Sequence, residues 1–262
     1  IKNKIIHQLL FLLFFNNFKL DFSKLTAMIV SWRNIFINDK KIPAAFFDID
    51  GTLYREGLIT ATFKKLIKSE IIEQERWYNE VKDRYTKWDK RIGNYDDYLL
   101  KMAEIYVEAV IGLHKSQIEF IAKRVVEQNG DRVYTYTRDR INKHKEMGHV
   151  VIAISGSPEE LVEQMAKKHK LHDFIGTRYE KDENGIFTGK IKPMWDSRNK
   201  ESAIKYFVEK YNIDLTQSFA YGDTAGDYSM FSLVGNPVAV NPTKELLVKL
   251  KKSPATRSKA KV

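Results

Sequence analysis

The sequence predicts an α/β fold: a doubly wound parallel sheet, covered by helices on both faces, with an all-helical segment inserted after the first strand. Three observations support it. Short apolar runs recur near 44–49, 149–154, 173–176, 217–222 and 237–240. The clearest, at 44–47 and 150–154, are continuous apolar runs rather than alternating ones, as in strands buried on both faces. Between them lie segments with apolar residues three and four apart, which is the helical period.

The first strand contains Ala44, Ala45, Phe46 and Phe47, and ends in Asp48-Ile49-Asp50-Gly51-Thr52-Leu53. Segments 58–78, 79–91, 95–111 and 115–129 then carry the helical pattern, as at Leu66, Ile67 and Ile71, or at Ile118, Ile121, Val125 and Val126. Gly93 and Gly112 punctuate them. Trp77, Tyr78, Tyr85, Trp88, Tyr95 and Tyr98 are expected to pack within this insertion, as helical aromatics usually do. A helix over 132–147 returns the chain to the second strand. There, Val150, Val151, Ile152, Ala153 and Ile154 lead to Ser155-Gly156-Ser157-Pro158-Glu159-Glu160. Ser157 as N-cap, Pro158 at the first helical position and Glu160 closing a capping box predict a helix over 158–170. Residues 177–191 read as a hairpin with Asn184-Gly185 as its two-residue turn. A helix over 200–211 opens on Lys200, after Trp195, which either orients that loop or packs. The next strand, with Phe219, Ala220 and Tyr221, runs into Gly222-Asp223-Thr224-Ala225-Gly226-Asp227. There is no internal repeat.

Side chains two apart on a strand share a side, so Asp48 and Asp50 face one point. Ligand sites of open α/β sheets lie at that carboxyl edge. Carboxylates so placed repel each other unless a cation sits between them. Oxygen-only ligands suit Mg²⁺, which typically uses one or two carboxylates plus substrate phosphate. Ser155 is expected in a strand-to-helix turn, just before helix N–H groups that bind anions. Asp223 and Asp227 add carboxylates at another strand end. Lys200 in a first helical turn opposes the helix dipole, a local cost that hints at another role. Together these residues point to a metal-dependent enzyme acting on phosphate. Taken singly, each also has a bland reading: an Asp-Gly turn, a capped helix, a solvated lysine.

The four motifs, in this order, resemble the haloacid dehalogenase superfamily of phosphatases. The first is Asp48-x-Asp50-Gly51-Thr52-Leu53, the second Ser155-Gly156 at a strand end, the third Lys200, and the fourth Gly222-Asp223-x-x-x-Asp227. Intervals of 45 residues from Ser155 to Lys200 and 23 from Lys200 to Asp223 fit the phosphoserine-phosphatase-like branch. The sequence around the fourth motif, through Gly235-Asn236-Pro237-Val238, is similar to subfamily IB hydrolases. The resemblance implies a Rossmann-like core over 43–57 and 130–248, with 58–129 as a helical C1 cap that helps choose the substrate. It implies Asp48 as the nucleophile, which forms an aspartyl-phosphate and also binds Mg²⁺. It implies Asp50 as general acid and base, ligating the metal through its backbone carbonyl, with Asp223 as a further ligand. Asp227 would support the metal through water or orient Lys200. Ser155, Gly156 and Lys200 would hold the phosphate. Two departures bear on the substrate, a small phosphorylated metabolite. Phosphoserine phosphatases carry an acid nine positions after the nucleophile, where this chain has Gly57, with Glu56 one place earlier. They usually carry Asn where this chain has Gly226. Phosphoserine phosphatase proper therefore stands as the alternative reading.

Composition narrows the classes further. The chain has 262 residues and no cysteine, so it can bury a sizeable core without disulfides or thiolate chemistry. Six histidines are scattered, and His144 and His149 are read as packing or surface residues rather than metal ligands. The net charge of +10 is confined to the ends: residues 1–42 carry +5, residues 249–262 carry +6, and the remainder −1. A nucleic-acid enzyme would carry a basic face on its body, so no nucleic acid is expected. Residues 249–262 read as a basic, disordered tail. The N-terminal extension, 1–42, holds an apolar run over 5–15 that is too short for an ordinary membrane span. The expectation is a natural start near Met28 and a cytoplasmic protein. A monotopic anchor and a membrane-surface role are the alternative. Oligomeric state leaves no mark in the sequence.

Overall fold

The computed structural model describes residues 41–90, 92 and 95–252. Most of the expected N-terminal extension, Gly93 and the last ten residues of the basic tail therefore lie outside the described residues.

Strand β1 (Ala44–Phe47) is buried along its whole length. Successive side chains point to opposite faces of the sheet. Ala45 and Phe47 join one core cluster, Ala44 and Phe46 the other. The insertion follows as α1 (Leu58–Lys68), α2 (Gln74–Arg76), a π-helical turn (Trp77–Val81), α3 (Lys82–Asp89), α4 (Tyr95–Val110) and α5 (Lys115–Asn129). Next come α6 (Thr135–Glu146), β2 (Val150–Pro158), α7 (Glu159–Lys168), β3 (Asp173–Lys181) and β4 (Phe187–Lys192). The remainder is α8 (Ser197–Tyr211), β5 (Phe219–Gly222), a 3-10 turn (Ala225–Asp227), α9 (Tyr228–Leu233), β6 (Asn236–Ala239) and α10 (Lys244–Lys252).

The strands form one sheet in the order β4-β3-β2-β1-β5-β6. All pairings are parallel except β3 with β4. One face packs on the insertion and α7 through Phe63, Met102, Ile105, Ile121 and Val162. The other packs on α8, α9 and α10 through Ile204, Phe207, Phe231 and Leu246. Phe47 lies opposite Ala153 of β2 and Tyr221 of β5. That register brings Asp48, Ser155 and Asp223 to the same edge of the sheet.

Four local expectations need correction. The pattern read as one helix over 58–78 is broken after Lys68. Glu70, at φ 56°, closes α1 with the bonds Glu70 N–H to Ile67 O and Ile71 N–H to Leu66 O. This is a Schellman closure with Glu where Gly is usual, so no glycine marks the break. The Ser157 capping box does not form, because β2 runs on to Pro158 and α7 begins at Glu159 without a side-chain cap. Glu160 instead pairs with Lys181 at 2.7 Å. The hairpin loop is longer than two residues. Asp182 N–H bonds Ile186 O, and Gly185, at φ 78°, takes the left-handed position of a three-residue bulged loop. Finally, α10 carries the chain past residue 249, with Leu250 buried in the core, so the tail is ordered through Lys252.

Four of the insertion's aromatics pack as expected, and the Tyr95 side chain lies outside the described residues. Trp77, Tyr85 and Trp88 are half-buried, Tyr98 is buried, and neighbouring rings stand 5.1–5.7 Å apart. Tyr78 is exposed and meets Lys82 instead. Among the described residues no helix is long and apolar enough to cross a membrane.

Candidate active site

Asp48 leaves β1 with its N–H bonded to Tyr221 O at 2.9 Å, so the neighbouring strand fixes its place at the edge. The chain then coils on itself. Ile49 O accepts from Leu53 N–H at 2.9 Å and Tyr54 N–H at 2.8 Å. Gly51 makes this coil possible, at φ 80° and against Asp223. A Cβ there would lie 2.3 Å from Asp223 Oδ2. Thr52 Oγ1 donates to Asp223 Oδ1 at 2.9 Å, and so holds that carboxylate toward β1.

Lys200 reaches in from α8. The Asp196 carboxylate caps that helix on Asn199 N–H at 2.9 Å, which places Lys200 in the opening turns. Its ammonium donates to Asp48 Oδ1 at 2.7 Å and to Asp227 Oδ1 at 2.5 Å. The other Asp227 oxygen accepts from the N–H groups of Asp223 and Thr224, both at 3.0 Å. Asp227 thus orients Lys200 and fixes the loop carrying Asp223.

Asp50 points to a different set of partners. Its Oδ1 accepts from Leu58 N–H, the first residue of α1, at 2.7 Å. Its Oδ2 accepts from Ser157 Oγ at 2.5 Å and Ser155 Oγ at 3.3 Å. Ser155 is fully buried and also accepts Ser157 N–H at 3.1 Å. Ser155 and Gly156 lie within β2, not at a helix start, because the strand continues to Pro158. The sequence marked Ser157 as a cap and missed it as the partner of Asp50. It gave no role to Thr52, although that residue belongs to the first motif.

One oxygen from each of Asp48, Asp223 and Asp227 lies within 4.8 Å of the others. The Asp50 carboxylate stands outside this cluster. Burial pushes the Asp48 carboxyl up to about 8, against the opposing pull of Lys200. Burial, then the charge of Asp48, raises Asp223 well above the carboxylate range. Burial raises Asp50 too, opposed by its bonds from Leu58, Ser157 and Ser155. Burial works against the charge on Lys200, but Asp227 and Asp48 outweigh it and hold the ammonium above its ordinary value. Three carboxylates facing one ammonium leave two negative charges when all are ionised. An all-oxygen donor set with that surplus fits a divalent cation such as Mg²⁺.

Trp195 is wedged between the backbones of Gly156 and Gly226. A Cβ at Gly226 would lie 2.6 Å from Trp195 O, so the Asn of the phosphoserine enzymes has no room here. On its outer side Trp195 lines a cavity of about 390 Å³ with Leu100, Val107 and Ile191. Behind the site, Phe47 stacks on Tyr221 with centroids 4.2 Å apart. Arg140 Nε donates to Tyr221 OH at 3.0 Å, and that hydroxyl meets His144 Nε2 at 2.8 Å. His144 Nδ1 meets His149 Nδ1 at 3.0 Å. Arginine only donates, so the Tyr221 oxygen accepts from Arg140. Both histidines are packing residues, as expected.

A model of the haloacid dehalogenase-like hydrolase family matches residues 45–232. An "inhibition of morphological differentiation" protein of Streptomyces azureus is 26% identical over 205 residues, covering 78% of this chain and 73% of that protein. A phosphoserine phosphatase of Mycobacterium tuberculosis is 32% identical over 117 residues, covering 44% of this chain and 38% of its own. A solved phosphoserine phosphatase, described as a phospho-aspartyl intermediate analogue, superposes with a TM-score of 0.53 at 22% identity, covering 80% of this chain and 90% of that one.

Proposed function

Because the chain belongs to the haloacid dehalogenase-like hydrolases, we propose that it is a Mg²⁺-dependent phosphomonoesterase acting through an aspartyl-phosphate on a small phosphorylated metabolite. The observation that carries this reading is Lys200 bridging Asp48 and Asp227, with Asp223 completing the carboxylate cluster.

Asp48 has one oxygen bonded to Lys200, and its other oxygen attacks phosphorus. The bond from phosphorus to the leaving oxygen breaks as the acyl-phosphate bond to Asp48 forms. Asp50 gives its proton to the departing alkoxide, then takes one from a water that attacks the same phosphorus. The Asp48–phosphorus bond breaks, and phosphate leaves with both carboxyls restored. Asp50 suits this role, because burial favours its protonated form while three donors hold its geometry. Lys200, Ser155 and the Gly156 N–H face the phosphoryl oxygens and offset their charge. Asp48, Asp223 and the Asp50 carbonyl would hold Mg²⁺, with Asp227 fixing the loop that carries Asp223, and the ion would supply charge neutralisation.

In this reading residues 43–57 and 130–252 form the catalytic core, and 58–129, packed on one face of the sheet, form the cap. The cytoplasm, where phosphorylated metabolites are held, is its expected place. The test is hydrolysis of p-nitrophenyl phosphate by the full chain. Turnover should require Mg²⁺, stop in EDTA and return on adding the metal back. Full activity in chelator overturns the metal assignment.

A further inference from the structure

Two tasks meet at the end of β2: Asp50 must stay aimed at the leaving oxygen, and Ser155 must hold the phosphoryl group. Both fall to a pair of serines. Asp50 Oδ2 accepts from Ser157 Oγ at 2.5 Å and from Ser155 Oγ at 3.3 Å. The first distance is that of a charge-assisted bond from a hydroxyl to a carboxylate, and the second exceeds the usual range for a hydroxyl donor. A serine hydroxyl has one proton to donate. Ser157 commits its proton to Asp50, whereas Ser155 holds Asp50 loosely. Ser157 is also only 3% exposed, so bulk water does not compete for its hydroxyl.

The backbone supports this division. Ser155 Oγ accepts Ser157 N–H at 3.1 Å, which fixes the oxygen while its proton stays free to turn. The strand is distorted where the serines sit. Four residues of β2, from Ile154 to Pro158, run beside two of β3, from Ile175 to Thr177. Bulges of this kind re-aim side chains beside functional sites. Between the serines, Gly156 meets Trp195, and a Cβ at Gly156 would lie 2.9 Å from Trp195 Cβ. Buried Thr177 pins the bulge: its Oγ1 donates to Gly156 O at 2.7 Å and accepts Met194 N–H at 3.1 Å.

Building on the phosphomonoesterase reading, we infer that Ser157 is a positioning residue that keeps Asp50 aimed at the leaving oxygen, and that Ser155 turns its one proton from Asp50 to a phosphoryl oxygen when substrate binds. Ser157 and the Leu58 N–H then hold Asp50, one on each carboxyl oxygen. One serine could not do both, because one proton cannot serve two acceptors. Protonation by Asp50 counts for more when the leaving oxygen is more basic. Misaiming Asp50 therefore penalises a poor leaving group selectively, whereas losing Ser155 penalises all esters alike.

The experiment is steady-state kinetics of the full chain with Mg²⁺ on p-nitrophenyl phosphate and phenyl phosphate. The two esters are similar in shape but differ in the basicity of the leaving oxygen. Competitive inhibition by inorganic phosphate is measured alongside. In Ser157→Ala the loss in kcat/KM should be at least tenfold larger for phenyl phosphate than for p-nitrophenyl phosphate. Ser157→Thr, which keeps the hydroxyl, should return the ratio of the two esters to within about threefold of wild type. Ser155→Ala should lower both esters by the same factor, to within about threefold. It should also raise the phosphate inhibition constant at least fivefold more than Ser157→Ala does. Should Ser157→Ala fail to fold, Ser157→Cys carries the test: its thiol is a weak donor at the same place, and the ratio should shift in the same direction. Equal losses on both esters in a folded Ser157 variant overturn the inference, as does a steeper leaving-group dependence in Ser155→Ala. Hydrolysis of neither ester by wild type would instead overturn the phosphomonoesterase reading on which this one stands.

Discussion

The Lys200 ammonium lies 2.7 Å from the Asp48 carboxylate, a buried ion pair joining residues 152 positions apart. Removing one partner of a buried pair costs about 3–5 kcal/mol, because the other charge is stranded. Lys200→Met should lose that much stability in urea unfolding at neutral pH, and at least a hundredfold in turnover. A variant as stable as wild type would show that Asp48 and Asp227 accommodate the loss by protonation.

Asp48→Asn should abolish turnover without unfolding the protein. The amide fills nearly the same space but cannot accept the phosphoryl group. It leaves Lys200 its bond to Asp227 at 2.5 Å, and it replaces a carboxyl that burial pushes up to about 8, so the melting temperature should fall less than in Lys200→Met. Acid quenching of wild type with labelled substrate should place the phosphate on Asp48. Label on Ser155 would reverse the roles assigned to the two residues.

Gly51→Ala tests the seat of Asp223. The left-handed backbone costs a non-glycine residue roughly 1–2 kcal/mol. The added carbon would also strike Asp223 Oδ2, 2.3 Å away. Groups that position a metal ligand typically govern affinity by about 10–100-fold. Mg²⁺ titration by calorimetry should show a weakening of that order in a folded variant. Unchanged affinity would remove Asp223 from the metal set.

The paired histidines give the fold an acid-sensitive element. Burial, then the charges of His149, Arg140 and Lys143, lowers His144 to about 3, and burial lowers His149. A histidine lowered in the folded state contributes stability above its unfolded value of about 6.5. That contribution is lost as the pH falls from there toward 3. Asp48 works in the opposite sense, because its raised carboxyl favours the fold as the pH falls. Comparing urea midpoints of wild type and His144→Leu between pH 7.5 and 5 isolates the histidine. The variant should show the flatter acid limb, and parallel limbs would exclude His144 as the cause.

Glu56→Gln should change kcat/KM for phosphoserine less than twofold, because Glu56 faces solvent beside Arg132. A tenfold loss would place its carboxylate in the substrate site.

The sheet and the motif residues were legible because their signals are local. Four buried residues followed by Asp48 describe a strand and its end without reference to anything distant. What could not be read depended on partners far along the chain. Ser157 has the spacing of a helix cap, yet its hydroxyl serves Asp50, 107 positions away. Glu70 ends α1 in a conformation that glycine usually marks, so periodicity ran through the break. The hairpin loop carried the right Asn-Gly pair but not its length, which the Asp182–Ile186 pairing sets.

The hydrogen bond from Leu58 to Asp50 has a consequence for how this enzyme can diversify. The first residue of the insertion grips the oxygen of the group assigned to move the proton. Changing the insertion to admit a new leaving group therefore risks resetting the donor as well. Drift should be tolerated in the outer helices α2 and α3, while an insertion or deletion between Gly57 and Leu58 would detune every substrate at once. Novelty in this chain has room to accumulate away from that joint, and little at it.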